Sequence, residues 1–94
     1  MAALNVTNNT AAGQFEIRSD AGVALLRYVP SGDALDLVHT EVPSALEGQG
    51  YGGALAAAAL DYARAQHLKV IPTCPFVQTY LKRHKEYADL VQQR

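Results

Sequence analysis

The sequence predicts an α+β domain: a three-stranded antiparallel meander followed by a βαβ unit and a C-terminal helix. Three observations predict it. Short alternating or apolar runs fill the first half and are separated by the turn sequences Ser19-Asp20-Ala21-Gly22 and Pro30-Ser31-Gly32-Asp33. A glycine-rich turn, Glu47-Gly48-Gln49-Gly50-Tyr51-Gly52-Gly53, then leads straight into Ala54-Leu55-Ala56-Ala57-Ala58-Ala59-Leu60, a strong helix-forming run. A last apolar run, Lys69-Val70-Ile71-Pro72, follows that helix too closely to be anything but its parallel return, with a right-handed crossover.

In order, residues 1–13 are small and polar and read as a flexible N-terminus, with room for an edge strand around Asn5. In Gln14–Arg18, Phe15 and Ile17 share one face of a short strand. Val23–Val29 is apolar on both faces and forms the second strand, which Pro30 is expected to break. Ala34–Val42 is the third. There, strict alternation puts Leu35, Leu37, His39 and Glu41 on one face and Asp36, Val38, Thr40 and Val42 on the other. Pro43 ends the ladder, having no N–H to donate. The first helix runs from Gly50 or Gly52 to Gln66 and turns Leu55, Ala58, Ala59, Tyr62 and Ala63 toward the sheet. After the fourth strand, Pro75 opens a second helix, Phe76–Arg83, whose apolar stripe is Phe76, Val77, Tyr80 and Leu81. His84–Val91 is a short helical tail, and residues 92–94 fray. The folded domain is therefore 14–91.

Composition narrows the function. Ninety-four residues make one domain with a modest core and one cleft. A net charge of −1 supplies no basic face for nucleic acid. No stretch approaches the ~20 apolar residues of a membrane span. Cys74 is the only cysteine, so no internal disulfide forms, and the start has no basic, apolar leader. A cytoplasmic protein is expected. His39, His67 and His84 lack the spacing of a metal set, so no metal is expected.

The glycine turn carries the chemistry. The first N–H groups of a helix have no partner within it, and the helix dipole adds positive charge there. Glycines let a ligand approach those donors closely. A strand, a glycine turn and a helix in that order make a phosphate or diphosphate site. Four of the seven turn residues are glycine, more than a plain turn needs. Gly48-x-Gly50-x-x-Gly53 fits the dinucleotide fingerprint in form, but the acidic residue expected about 20 positions on is missing from Ile71-Pro72-Thr73-Cys74. No Gly-Lys-Ser/Thr follows, which excludes a Walker A loop.

Gly48-Gln49-Gly50-Tyr51-Gly52 resembles the acyl-CoA loop of the GNAT acetyltransferases. His39-Thr40-Glu41-Val42, Ile71-Pro72-Thr73-Cys74-Pro75-Phe76-Val77, and Arg83-His84 with Glu86-Tyr87 resemble the small, single-domain YjdJ-type subgroup. The likeness spans roughly Gln14 to Val91. It departs at Glu47, where the family opens the loop with Arg or Gln, and at Lys85, where the subgroup has proline. A carboxylate at position 47 is unfavourable beside a diphosphate unless it points away.

The resemblance implies a compact GNAT-like fold and transfer of an acetyl group from acetyl-CoA to an amine. Backbone N–H groups of Gly48, Gln49, Gly50, Tyr51, Gly52 and Gly53 would hold the diphosphate. Free backbone groups near Thr40 and Val42 would align the pantetheine arm if the third and fourth strands part, as Pro43 and Pro72 encourage. His39 or Glu41 would take the amine proton, His39 by its ordinary pKa and Glu41 only if burial raises its own. Tyr80 stands where the family places a tyrosine that protonates the leaving thiolate. It also fits the apolar stripe. Cys74 would lie near the thioester and could accept the acetyl group, or it is a small buried hydrophobe. Two functions remain open: an N-acetyltransferase, or a sensor that binds acetyl-CoA or CoA without fast turnover. The wall that helices usually build between the first two strands is absent. The acceptor site is then open, which suits a protein or peptide amine. A monomer or weak homodimer is expected.

Overall fold

The computed structural model describes residues 4–92. One sheet of five strands runs in chain order: β1 (Thr7–Asn9), β2 (Gln14–Ser19), β3 (Gly22–Ser31), β4 (Ala34–Glu41) and β5 (Lys69–Pro72). The first four are antiparallel neighbours, and β5 lies parallel to β4. Helix α1 (Tyr51–Ala65) connects β4 to β5, and α2 (Pro75–Arg83) follows. The edge strand forms at Thr7–Asn9 rather than around Asn5, and Leu4 and Val6 rest against the core. Residues 1–3 and 93–94, the outer parts of the expected flexible ends, lie outside the described residues.

Pro30 does not break β3. The chain turns through Gly32 and Asp33, so Ser31 and Ala34 close the hairpin and Pro30 pairs with Leu35. Antiparallel ladders alternate bonded and non-bonded pairs. The pair next to the closing one needs no N–H toward the partner strand, so proline fits there.

The core joins Phe15, Ile17, Leu26, Leu35 and Leu37 of the sheet to Leu55, Ala59 and Leu60 of α1 and Val77 of α2. The buried stripe of α1 is Leu55, Ala56, Ala59, Leu60 and Ala63, one position round from the expected one. Alanine is nearly uniform around this helix, so its rotation is set by the larger side chains. Burying Leu60 gains more than burying Tyr62, whose hydroxyl wants water. Tyr62 stays half-buried, with its ring edge-on to Phe15 at 5.7 Å.

A β-bulge changes β4. Tyr28 pairs with Leu37 but Arg27 pairs with His39, so Val38 is an extra residue. Strict alternation fails there. Thr40, opposite the buried Leu26, now shares the core side with Leu37. His39 and Glu41 stand on the opposite, open face, beside Arg27 and Leu25. They keep company with each other, as expected, but not with Leu35 and Leu37.

The C-terminal segment is a 3-10 helix, Lys85–Leu90, clamped to α1. Arg64 forks onto both oxygens of Asp89 at 3.0 Å. The Tyr87 hydroxyl donates to Asp61 at 2.8 Å, and burial followed by that carboxylate pushes its pKa up to about 12. Val91 bridges to Val70, and the Gln92 N–H donates to the Val70 carbonyl at 2.9 Å, covering the outer edge of β5.

Helix α1 ends with the Leu68 N–H bonded to the Ala63 carbonyl and the His67 N–H to that of Arg64, and His67 takes the left-handed φ of 58°. A side chain costs roughly 1–2 kcal/mol there, whereas glycine adds back only about 0.4–1 kcal/mol of unfolded-chain freedom. His67→Gly is expected to raise stability by about 0.5–1 kcal/mol in urea denaturation. A lower midpoint would contradict this account of the turn.

Glu16 lies on the open face, yet it is only 5% exposed. Hydrogen bonds from Gln14 and then Asn9, with the Arg18 guanidinium beside it, hold its carboxyl below the usual glutamate value of 4.5. A depressed native value adds stability above the unfolded value, and that stability is lost as pH falls through the native value. Denaturation midpoints are therefore expected to drop below about pH 4.5, and Glu16→Gln to flatten that limb while lowering the midpoint at neutral pH. An acid limb of unchanged steepness in the variant would exclude Glu16 as its source.

Candidate functional site

The site begins where β5 stops. Pro72 pairs with Leu37, and the Cys74 N–H makes the last link, to the Leu37 carbonyl at 2.8 Å. Thr73 and Cys74 then turn away into α2. Strand β4 continues from Val38 to Glu41 with no strand beside it on that edge. The expected parting of these two strands is present.

The glycine turn lies across the gap. Ser44–Leu46 forms a 3-10 turn with Leu46 buried, and the Gln49 side chain donates to the Ala45 carbonyl at 3.0 Å. Gln49 thus fastens the turn and does not line the cleft. Gly48 and Gly50 take left-handed φ values of 78° and 85°, and Gly50 caps α1. The first helical bond runs from the Ala54 N–H to the Gly50 carbonyl at 3.0 Å. The N–H groups of Tyr51, Gly52 and Gly53 come before it and have no helical acceptor. No acidic side chain occupies that first helical turn.

Between these elements lies a cleft of about 390 Å3. Thr40 and Val42 form one wall; Glu47, Gly48 and Gly50 to Gly53 form the other; Phe76 closes the end. Of the candidate cofactor residues, Thr40, Val42, Gly48, Gly50, Tyr51, Gly52 and Gly53 meet here. Cys74 and Tyr80 stand one contact behind. Cys74 is buried, with its sulfur 3.4 Å from the Thr40 hydroxyl. The Tyr80 ring lies 3.7 Å from where a Cβ on Gly53 would sit and stacks on His84 at 4.0 Å. Burial, then the carboxylates of Glu86 and Asp61, raise the Tyr80 pKa, so its phenol stays protonated at neutral pH.

His39 and Glu41 lie on the other side of β4, both exposed, with His39 Nε2 3.8 Å from Glu41 Oε2. Glu41 lines a second cleft, of about 430 Å3, with Val23, Pro43, Thr40, Val42 and Glu47. The two clefts share the walls Thr40, Val42 and Glu47. Among the described residues no three His, Cys, Asp or Glu side chains gather to hold a metal, and no helix is long and apolar enough to cross a membrane.

Phe76 is the residue the sequence does not single out. It is expected in the core, yet it is 42% exposed and lines the cleft. Its ring also explains Gly52. A Cβ on Gly52 would come within 2.8 Å of Phe76 Cζ, whereas one on Gly48 or Gly50 would meet nothing within 4 Å. Gly48 and Gly50 serve backbone conformation, and Gly52 makes room for the ring. The signal available in the sequence is the pair Pro75-Phe76, which sets an aromatic on the first turn of α2.

Fold and site geometry together define the class, an α+β domain with a glycine turn at a split sheet. The comparisons place it more closely. The solution structure of a GCN5-like protein from Staphylococcus aureus superposes with a TM-score of 0.75 at 28% identity, covering 100% of this chain and 93% of that one. The family described as GCN5-related N-acetyl-transferase matches residues 14–90. The chain belongs to that family. Its relatives include proteins named NATD1. The one from Xenopus tropicalis is 40% identical over 75 residues, spanning 76% of this chain and 68% of that one. The one from Danio rerio is 35% identical over 94 residues, spanning 94% of this chain and 84% of that one.

The contact between Gly52 and Phe76 can be tested. Gly52→Ala is expected to push the exposed Phe76 ring aside. Its cost should therefore be larger, by about 1 kcal/mol, in the native background than in Phe76→Ala, because the clash needs both groups. An equal effect of Gly52→Ala in both backgrounds, measured by urea denaturation, would show that the ring is not the obstacle.

Proposed function

We propose that this chain transfers an acetyl group from acetyl-CoA to an amine. The observation that carries the reading is the set of unpaired amides of Tyr51, Gly52 and Gly53 at one wall of the cleft, facing the free edge of β4. These donors and the α1 dipole suit a diphosphate. The β4 edge past Leu37 offers backbone groups to a pantetheine arm and an N–H to the thioester oxygen. The amine nitrogen bonds to the acetyl carbon, the carbon–sulfur bond breaks, and the amine proton passes to a base. Glu41 suits that role because it lines the adjoining cleft, and His39 stands beside it to share the proton. The protonated Tyr80 phenol is the donor to the departing sulfur, through a water or a small shift of its ring. Cys74, buried against Thr40, serves as packing rather than as an acyl carrier.

One observation favours the second reading, a CoA-binding module with slow turnover. Both candidate bases are exposed to solvent.

Calorimetry with acetyl-CoA, beside thiol release in the presence of amines and basic peptides, tests both. Binding is expected, with release that Glu41→Gln slows by roughly 100-fold or more and His39→Ala slows less, at little change in acetyl-CoA affinity. Binding without thiol release would support the module. No heat and no thermal shift would end both readings.

A further inference from the structure

The second cleft is a container with one kind of charge. Its carboxylates are Glu41 and Glu47, its remaining walls include the aliphatic Val23, Val42 and Pro43, and among the described residues no lysine or arginine lines it. At about 430 Å3 it is large enough for a small organic ligand. The Glu41 carboxylate has His39 beside it. The Glu47 side chain is exposed, has no hydrogen-bond or ion-pair partner among the described residues, and lines both clefts. A carboxylate without a counter-charge therefore stands in the wall between the cleft of free amides and the cleft of aliphatic groups. Beside the amides, it works against any anion held there. A cation in the second cleft would offset it.

We propose that the second cleft receives the acceptor as an aliphatic amine carrying a second cationic group, and that Glu47 is the residue that selects that charge. The naming of this ligand as acceptor rests on the acetyl-transfer reading; the charge preference of the cleft does not. The aliphatic stem lies against Val23 and Pro43. One nitrogen points toward Thr40 and Val42, where the walls are shared, and loses its proton to Glu41. The other stays charged beside Glu47. Because Glu47 faces both clefts, filling one favours filling the other, and the effect is reciprocal. The same chemistry is offered by a free diamine and by neighbouring lysines of a peptide.

The test uses 15N-labelled protein titrated with 1,5-diaminopentane, with a dilysine peptide and with pentan-1-ol. The diamine or the peptide is expected to shift the amide signals of Val23, Glu41 and Glu47, and the alcohol to leave them in place. Whichever cation acts at lower concentration identifies the source. Calorimetry then measures CoA binding with and without the diamine. The diamine should tighten it by roughly fivefold or more, less at high salt. In Glu47→Gln, CoA alone should bind more tightly and the diamine should make no difference. Absent shifts, equal shifts with the alcohol, or unchanged coupling in Glu47→Gln would overturn the proposal. Shifts by the diamine in a protein that binds no CoA would sink the acetyl-transfer reading and the coupling while leaving the amine cleft standing.

Discussion

Strand β5 ends opposite Leu37, and β4 runs on to Glu41 without it. A parallel pair that stops halfway leaves backbone donors and acceptors unsatisfied, and buried groups of that kind are costly. Here the cost is limited because the gap opens as a cleft. Pro72, ending β5, has no N–H to lose. The Cys74 N–H takes the last carbonyl, and Thr40 and Cys74 meet across the gap at 3.4 Å. The chain is then free to enter α2, which brings Phe76 over Gly52. The cleft, the free edge and the aromatic end wall are thus consequences of one early termination.

The glycine turn depends on the same opening. Free amides at a helix start are ordinary, and water usually satisfies them. What distinguishes this start is that the unpaired edge of β4 lies opposite. Gly48 and Gly50 bend the chain so that α1 begins beside the gap, and the Gln49 amide ties the bend to Ala45. One side of the cleft then offers donors with helix-end charge, and the other offers strand backbone groups. An extended ligand with an anionic end matches that asymmetry.

Much of this was legible in the residues. The meander, the βαβ return and the second helix follow from alternation, turn chemistry and the spacing around the alanine run. The Gly48 to Gly53 turn into α1 was marked by its glycine density. Other features were hidden for physical reasons. A bulge adds a residue without any residue type that demands it, so the outward turn of His39 and Glu41 could not be read from β4 alone. The rotation of α1 was hidden because alanine gives almost no contrast around the helix. Gly52 looked like its neighbours because a glycine that makes room for a distant ring and one that bends the chain are the same letter. Phe76 looked like core because its exposure is fixed by how β5 ends.

The open face of the sheet has its own logic. Only four residues, Ser19 to Gly22, span from the end of β2 to the start of β3, so among the described residues no helix covers that side. A sheet with one wet face must make that face polar. Arg18, Arg27, His39 and Glu41 supply polar groups there beside Leu25 and the exposed Val29, and Glu16, opposite Leu25, is hydrogen-bonded by Asn9, Gln14 and Arg18. At His39 and Glu41 that face is open to solvent. A ligand meeting those two side chains would be discriminated by charge and by position beside the cleft at the start of α1. Glu47, which lines both clefts and has no charged partner among the described residues, stands at that position.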